Sequence, residues 1–305
     1  MLKVVENKKI FFSISIAIIL VGLVFYFVNG GLNLDIDYIG GTSLHLDLGE
    51  TYDVADIEAL VEETLPGTTP RVVKGGAEGT EVMITVKELT DEESTKLLNA
   101  IREKYDPSYN VEATEETEEV AETKFKVFTR DTVSATIGKE FGQSAVTSAI
   151  IAVLLMLVYI SIRFEFWSGI AAVVSLVHNV LLVLSIYTIF NLPINSTFIA
   201  SILTIVGYTI NDTIVIFDRI RENNRFAKKT PFSEVVDNSV TQSLTRSINT
   251  SITTLLSIVV LYILGVNSIK TFAFPIIIGV IIGTYSSIFI ASPVWSLFKK
   301  EKKNS

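Results

Sequence analysis

Six apolar stretches dominate this chain of 305 residues. They run approximately over Ile10–Val28, Phe141–Ile162, Trp167–Phe190, Phe198–Phe217, Ile248–Gly265 and Phe272–Phe298. A helix needs roughly 20 predominantly apolar residues to cross a hydrocarbon core, and each stretch approaches or exceeds that length. In lipid the backbone must satisfy its own hydrogen bonds, so such segments fold as helices. The pattern predicts a polytopic α-helical membrane protein with six transmembrane helices. Lys3, Lys8 and Lys9 before the first stretch resemble the start of a signal peptide. The run is longer than a signal core and lacks a small-residue cleavage site, so it reads as a retained anchor.

The charges between the stretches set the expected orientation. Lys3, Lys8 and Lys9 precede the first span and Arg163 lies between the second and third. Arg219, Arg221, Arg225, Lys228, Lys229 and Arg246 lie between the fourth and fifth, and Lys299, Lys300, Lys302 and Lys303 follow the sixth. The alternate connections, 191–197 and 266–271, hold only Lys270. Basic loops stay in the cytoplasm, which puts both termini there, in a cell (plasma or inner) membrane. The net charge of -8 is also segregated: residues 30–140 carry 25 acidic and 10 basic side chains, the remainder 8 and 15. That division predicts residues 1–29 as N-terminus and first span and 30–140 as a soluble extracytoplasmic domain. Residues 141–298 then hold spans two to six with a cytoplasmic loop at 218–246, and 299–305 form a basic tail. It argues against a nucleic-acid partner.

Within the acidic domain the periodicity alternates. Strands are expected at Thr42–Leu48, Thr69–Lys74 and Val82–Lys87, with a turn at Gly75-Gly76. Helices are expected at Val54–Leu65 and from Thr90 to about Lys104, the second opened by a capping box of Thr90 and Glu93. A last strand falls within Val111–Val127, and the glutamate-rich run Thr114–Glu122 reads as a loop. The order β-α-β-β-α-β predicts an α+β ferredoxin-like domain between helices 1 and 2. His45, alone in a strand, reads as a half-buried structural residue.

Asp212 stands near the middle of the fourth stretch. A carboxylate at the centre of a bilayer-spanning helix costs about 2.5–3.5 kcal/mol on insertion scales, and such residues face a bundle interior where they handle protons, ions or a buried partner. Arg246 opens the fifth stretch on the same side. In antiparallel neighbours it would lie one to two turns below Asp212. Gly279, Gly283 and Ser287 recur every fourth residue on the sixth span, a ridge suited to close helix packing. Pro275 is expected to kink that span. Thr230-Pro231 is expected to open a surface-lying cytoplasmic helix through Arg246. The chain has no Cys and two His, and no phosphate loop, nucleophile elbow or metal-ligand cluster. An enzyme, a cofactor and a metal are therefore not expected, and energy must come from the membrane potential or a partner.

Asp35-Ile-Asp-Tyr-Ile-Gly-Gly-Thr42 (with Asp37, Gly40 and Gly41), Gly207 to Asn223, Gln242 to Ser251 and Gly283 to Pro293 follow one another along the chain. Together these segments resemble the SecD/SecF family of bacterial protein-export subunits, on its SecF side. Asp35 and Ile39 stand where the family usually has Gly and Thr. His178-Asn179 stands where it often has His-Asp. Gly207-x-x-x-Asn211-Asp212 is similar to the G-x-x-x-D-D element of resistance–nodulation–division transporters, with Asn211 in place of the first acid. The spacing reads as a Gly admitting a neighbouring helix beside the polar pair. The resemblance implies proton-driven work by Asp212 and Arg246, with Asn211 as a hydrogen-bonding neighbour. Helix movement that joins or separates the pair would switch the proton affinity of Asp212. It also implies a SecD-like subunit supplying six more helices, a SecYEG-type channel, and unfolded preprotein at the outer domain. Two other readings compete. A small-molecule exporter half would need a second half or self-dimer and a larger outer region. A non-catalytic scaffold of the export channel would tolerate loss of Asp212 and Arg246.

Overall fold

The computed structural model describes residues 2–75, 79–106, 125–163, 165–227 and 230–299. The expected glutamate-rich loop at 114–122, the second residue of the 75–76 turn, positions 228–229 and the basic tail from 300 lie outside them. The chain divides into two units, Leu34–Ser144 and Met1–Asn33 with Ala145–Ser305.

The first unit follows its alternating pattern closely. It contains α2 (Ile36–Ile39), β1 (Gly41–Asp47), α3 (Val54–Thr64), β2 (Arg71–Gly75), β3 (Glu81–Val86), α4 (Asp91–Tyr105) and β4 (Lys126–Val133). The strands form one antiparallel sheet in the order β2-β3-β1-β4. Leu44 pairs with Ile84, and Leu46 with Val82, so the period of two puts these apolar side chains on one face. Ile57, Val61, Leu97 and Ile101, spaced on the inner stripes of α3 and α4, join that face in a single core. The last strand begins at Lys126, at the end of the expected stretch, and runs on to Val133; residues 107–124 lie outside the described residues. Its residues are almost all exposed, so burial could not mark it in the sequence. His45 is half-buried, 3.1 Å from Glu81 and against Phe128.

The turn before β1 explains the glycines there. Asp35 caps α2 by accepting from the Ile36 amide at 2.8 Å. Gly40 and Gly41 then adopt φ 74° and 133°, which only glycine takes without strain. A side chain on Gly40 would collide with Ala135, and one on Gly41 with the Val86 carbonyl. Asp37, in the first turn of α2, lies beside Tyr38, whose hydroxyl burial pushes up to about 12.

The second unit is helical: α1 (Lys8–Val28), α6 (Phe166–Ile189), α7 (Ser196–Phe226), α8 (Phe232–Leu264), α9 (Asn267–Ser286), a π turn (Ser287–Ala291) and α10 (Ser292–Phe298). The helix α5 (Ala135–Arg163) joins the two units in sequence. Among the described residues, five helices are long and apolar enough to cross a membrane: α1, α6, α7, α8 and Ser268–Phe298. Helix α1 lies on α6, where Gly22 leaves room for Ser185. At 1.5 Å per residue, α7 and α8 are about 46 and 50 Å long, well beyond a hydrocarbon core of about 30 Å.

The segment 218–246 corrects the expected loop. Apart from a short connection it continues α7 to Phe226 and begins α8 at Phe232. The cap position is Pro231, without a side-chain cap, and not Thr230. Because α8 runs unbroken from Phe232 to Leu264, its first half cannot lie flat while its second half spans. The projecting ends are tied by polar contacts. Arg219 donates to Gln242 at 2.7 Å, and Asn223 donates to Ser239 and Gln242 at 2.8 and 2.9 Å. In the following span, α9 contains Pro275 and leads into the π turn that begins at Ser287.

Leu46 is fully buried in the sheet core. Leu46→Ala should destabilise the first unit by about 2–5 kcal/mol, read as a lower urea midpoint in pulse proteolysis of the purified chain. The capping box gives a pH dependence. The Thr90 amide and hydroxyl donate to Glu93 at 2.9 and 3.0 Å and hold its carboxyl below the ordinary glutamate range. Its stabilising effect is complete above the unfolded value of 4.5 and is lost as pH falls through the lower folded value. Hydrogen exchange of the first-turn amides of α4, corrected for intrinsic rates, should quicken relative to the helix interior in that acid window.

Candidate functional site

Buried polar side chains line the interior of the helical unit where its length and hydropathy demand lipid. On α7, Thr209, Asp212 and Thr213 are buried; on α8, Ser239, Ser243, Ser247 and Ser251 are buried at every fourth position. Spacing of four keeps one helix face, so these serines form a stripe on α8. Most of the surrounding hydroxyls are paired between helices. Ser175 on α6 meets Ser286 on α9 at 2.5 Å, Thr213 meets Ser287 at 2.8 Å, and Ser251 meets Thr284 at 2.5 Å. The Tyr208 hydroxyl donates to Ser251 at 3.5 Å. Adjacent serines 286 and 287 can reach two different helices because the π turn begins between them.

Asp212 is 5% exposed in this setting. The Ser247 hydroxyl and the Arg246 guanidinium, both on α8, are near enough to act on it. Neither Asp212 Oδ2 nor Ser247 Oγ completes a hydrogen bond in this conformation. Thr209 Oγ1, Asn179 Nδ2 and His178 Nε2 are likewise buried without a partner. Buried polar groups are ordinarily paired by protein or ordered water, so these open valences within the helical unit need a reason. Arg246 is exposed and lines a pocket of about 430 Å³ with Val215, Asp218, Arg219, Glu222, Gln242 and Ser243.

The expected packing ridge points at the same place. Side chains placed on Gly279 and Gly283 would strike Ile205 and Thr209, and Ser287 bonds Thr213. These three positions of the last span thus meet three α7 positions also spaced by four, which lets the backbones approach. Gly207 and Asn211 behave differently. Nothing lies within 4 Å of a side chain built at Gly207, and Asn211 is exposed. The expectation that this Gly admits a neighbouring helix beside the polar pair is therefore corrected for the chain taken alone. Successive helical residues are about 100° apart, so Asn211 shares a face with Gly207 and Asp212 turns inward. Asp37, Gly40 and Gly41 belong to the other unit. Among the described residues no group of His, Cys, Asp or Glu forms a metal-binding cluster.

Ser247, Thr209 and Thr213 were not singled out in the sequence. The signal for the first was present: Ser239, Ser243, Ser247 and Ser251 are a four-residue repeat across a helix carrying Arg246.

Comparison with known proteins decides the family. The family model described as protein export membrane protein SecD/SecF, C-terminal, matches residues 112–301. The protein translocase subunit SecF of Petrotoga mobilis is 34% identical over 309 residues, covering 98% of this chain and 97% of the relative. The chain belongs to the SecD/SecF family. It is a SecF-like subunit for protein translocation and a multi-pass membrane protein. The protein translocase subunit SecDF of Bacillus subtilis is 33% identical over 96% of this chain and 38% of its own length. A crystal structure of SecDF, a translocon-associated membrane protein from Thermus thermophilus, superposes with a TM-score of 0.80 at 30% identity. That match covers 96% of this chain, which spans 38% of the Thermus protein.

The close α7–α9 contact should not tolerate side chains. Gly283→Val would force α9 from Thr209, with an overpacking cost of about 1–3 kcal/mol. The expected result is a lower unfolding temperature in detergent, partly restored by Thr209→Ala.

Proposed function

We propose that this SecF-like chain is one half of a motor that uses the proton motive force to assist preprotein translocation, with Asp212 as its titrating group. The reading is carried by one observation: a carboxylate deep in α7, buried among hydroxyl-bearing helices, has an open valence. A charge so placed costs several kcal/mol, which favours a role in which the group gains and loses a proton. Each proton crossing 100 mV releases about 2.3 kcal/mol, enough to shift a conformational equilibrium by more than tenfold. Arg246 is the partner for the ionised form and Asn211 a hydrogen-bonding neighbour toward the second subunit.

On this reading α5 is the second of six transmembrane helices, and both termini are cytoplasmic. The strand order β2-β3-β1-β4, with two helices, supports a ferredoxin-like domain lying outside the membrane over residues 30–140. The domain would meet unfolded preprotein emerging from a SecYEG-type channel. A SecD-like subunit would supply the other helices, a reading that the fused SecDF relatives support. The exposed Gly207 and Asn211 suit that contact, since a polar amide facing lipid needs a partner. Residues 141–298 with the cytoplasmic segment 218–246 form the coupling unit, followed by the basic tail at 299–305.

The test is export of a reporter preprotein into inverted membrane vesicles carrying the chain and its partner, with and without a proton gradient. Asp212→Asn should abolish the gradient-dependent part at normal protein levels, and Arg246→Ala should reduce it at least roughly tenfold, the scale of lost charge stabilisation. Undiminished stimulation in Asp212→Asn overturns the proton reading and leaves the scaffold.

A further inference from the structure

We propose that the segment Leu2–Glu6 is a strap that ties the start of α1 to the projecting half of α8, with Asp237 and Thr241 as its positioning residues, and that movement of α8 is carried through it along α1. The inference rests on the reading of this chain as a gradient-driven motor and adds a transmission element to it. Its ground is a buried carboxylate that the proton reading does not use. Asp237 is 6% exposed, and its Oδ1 accepts from the Val5 amide at 2.9 Å, across 232 residues of sequence. One turn further along α8, the Thr241 hydroxyl accepts from the Leu2 amide at 3.0 Å while donating to the Asp237 carbonyl at 2.8 Å. A carboxylate acceptor makes the stronger kind of hydrogen bond, and burial leaves water little chance to replace the amide.

An apolar stripe beside these residues holds the same segment. Phe232, Val236 and Val240, spaced by four on α8, form one cluster with Val4 and Val5. Those two valines are 1% and 6% exposed, so the strap is packed as core. Lys3 and Glu6 turn outward and pair with each other at 2.7 Å.

Helix α1 depends on such fastenings because its own surface is little buried. Ser15 and Gly22 are its buried residues out of 21. A few points hold it: the Phe11 carbonyl accepts from the Tyr285 hydroxyl at 2.8 Å, and Asn29 donates to the Thr188 carbonyl at 2.8 Å. Just beyond, the Asn33 side chain donates to the Asn191 carbonyl at 2.5 Å, and its own carbonyl accepts from the Ile194 amide at 2.7 Å. There the chain passes into the other unit. At its opposite end the strap docks on the helix that carries Arg246, nine residues or about 14 Å from Asp237. An unbroken α8 moves both positions together.

The test uses the full chain with its partner in inverted vesicles, reading gradient-dependent export of a reporter preprotein. Asp237→Ala removes the acceptor of the buried bond, and Val5→Pro removes its donor. Each should cut gradient-dependent export at least roughly tenfold, the scale of a lost hydrogen bond to a charged group. The double variant should be no worse than either single one. Asp237→Asn keeps an acceptor oxygen and should retain most of the rate. Val5→Pro leaves α8 untouched, so it carries the comparison by itself if Asp237→Ala accumulates poorly.

The deciding arm replaces the strap's bonds with a covalent one. Leu2→Cys and Thr241→Cys are added to each impaired variant and oxidised in air with copper phenanthroline; the natural chain has no cysteine to interfere. The disulfide should restore export, and reducing it should remove the gain. A tether cannot repair a merely local defect in α8, so linked chains that stay inactive overturn the strap. Additive losses in the double variant overturn it too, as does wild-type export in both single variants. In the otherwise natural chain the pair should crosslink, read by mass spectrometry of the joined peptides, and export should continue. No crosslink in normally accumulating protein overturns the docking, and arrested export overturns a permanent tether. Asp212→Asn keeps the two readings apart. If it abolishes the drive while Asp237→Ala and Val5→Pro do not, only the strap fails; if it is harmless, the motor reading fails.

Discussion

Hydrocarbon offers no hydrogen bonds, so every polar atom carried into the membrane must find its partner inside the protein. Asp212 makes that demand most strongly, and the interior around it is built to meet it. Hydroxyls from α6, α7, α8 and α9 pair across the helix interfaces at 2.5–2.8 Å. The same interfaces need small residues, because apolar side chains gain little by leaving lipid for another apolar surface. Gly279, Gly283 and Ser287 serve both needs: they admit the α7 backbone and bring a hydroxyl to Thr213. Packing and site are one arrangement here.

The rigid parts of the unit reach beyond the bilayer. Helices α7 and α8 run without interruption from the level of Asp212 into a charged zone, where Arg219 and Asn223 tie them to Gln242 and Ser239. A shift of one helix against the other at Asp212 is therefore also a shift of these projecting ends. The π turn supplies the complementary irregularity in the neighbouring span. It leaves the Ser287 carbonyl to accept from the Ser292 hydroxyl at 3.1 Å, so the wider turn stays satisfied inside the protein. Such turns concentrate at working sites because they re-aim side chains without breaking a helix.

Legibility followed the strength of the local signal. The β1 and β3 strands alternate apolar and polar residues, and the Thr90–Glu93 box marks the start of α4, so those elements were readable. β4 presents exposed residues along its length, and no periodic burial marked its position. The division of α8 at Arg246 failed for a different reason: charge density changes there, but helical hydrogen bonding continues regardless of what the side chains face. Asp212, Arg246 and the α9 ridge stood out because ionisable and small residues are conspicuous in apolar runs. Ser247 and Thr209 did not, since a hydroxyl in a membrane helix is commonplace until its neighbours are known.

Local sequence was sufficient for the helical class, for the two chemically distinct units and for the presence of a buried acid, because length, hydropathy and charge act through solvent alone. It also placed the capping and turn residues, whose chemistry is confined to a few neighbours. Which way Asn211 and Asp212 face, which hydroxyls pair and which remain open, and where the pocket ends were decided only by tertiary structure. Those properties depend on the rotation of one helix against another, and that rotation is set by contacts between residues far apart in the chain.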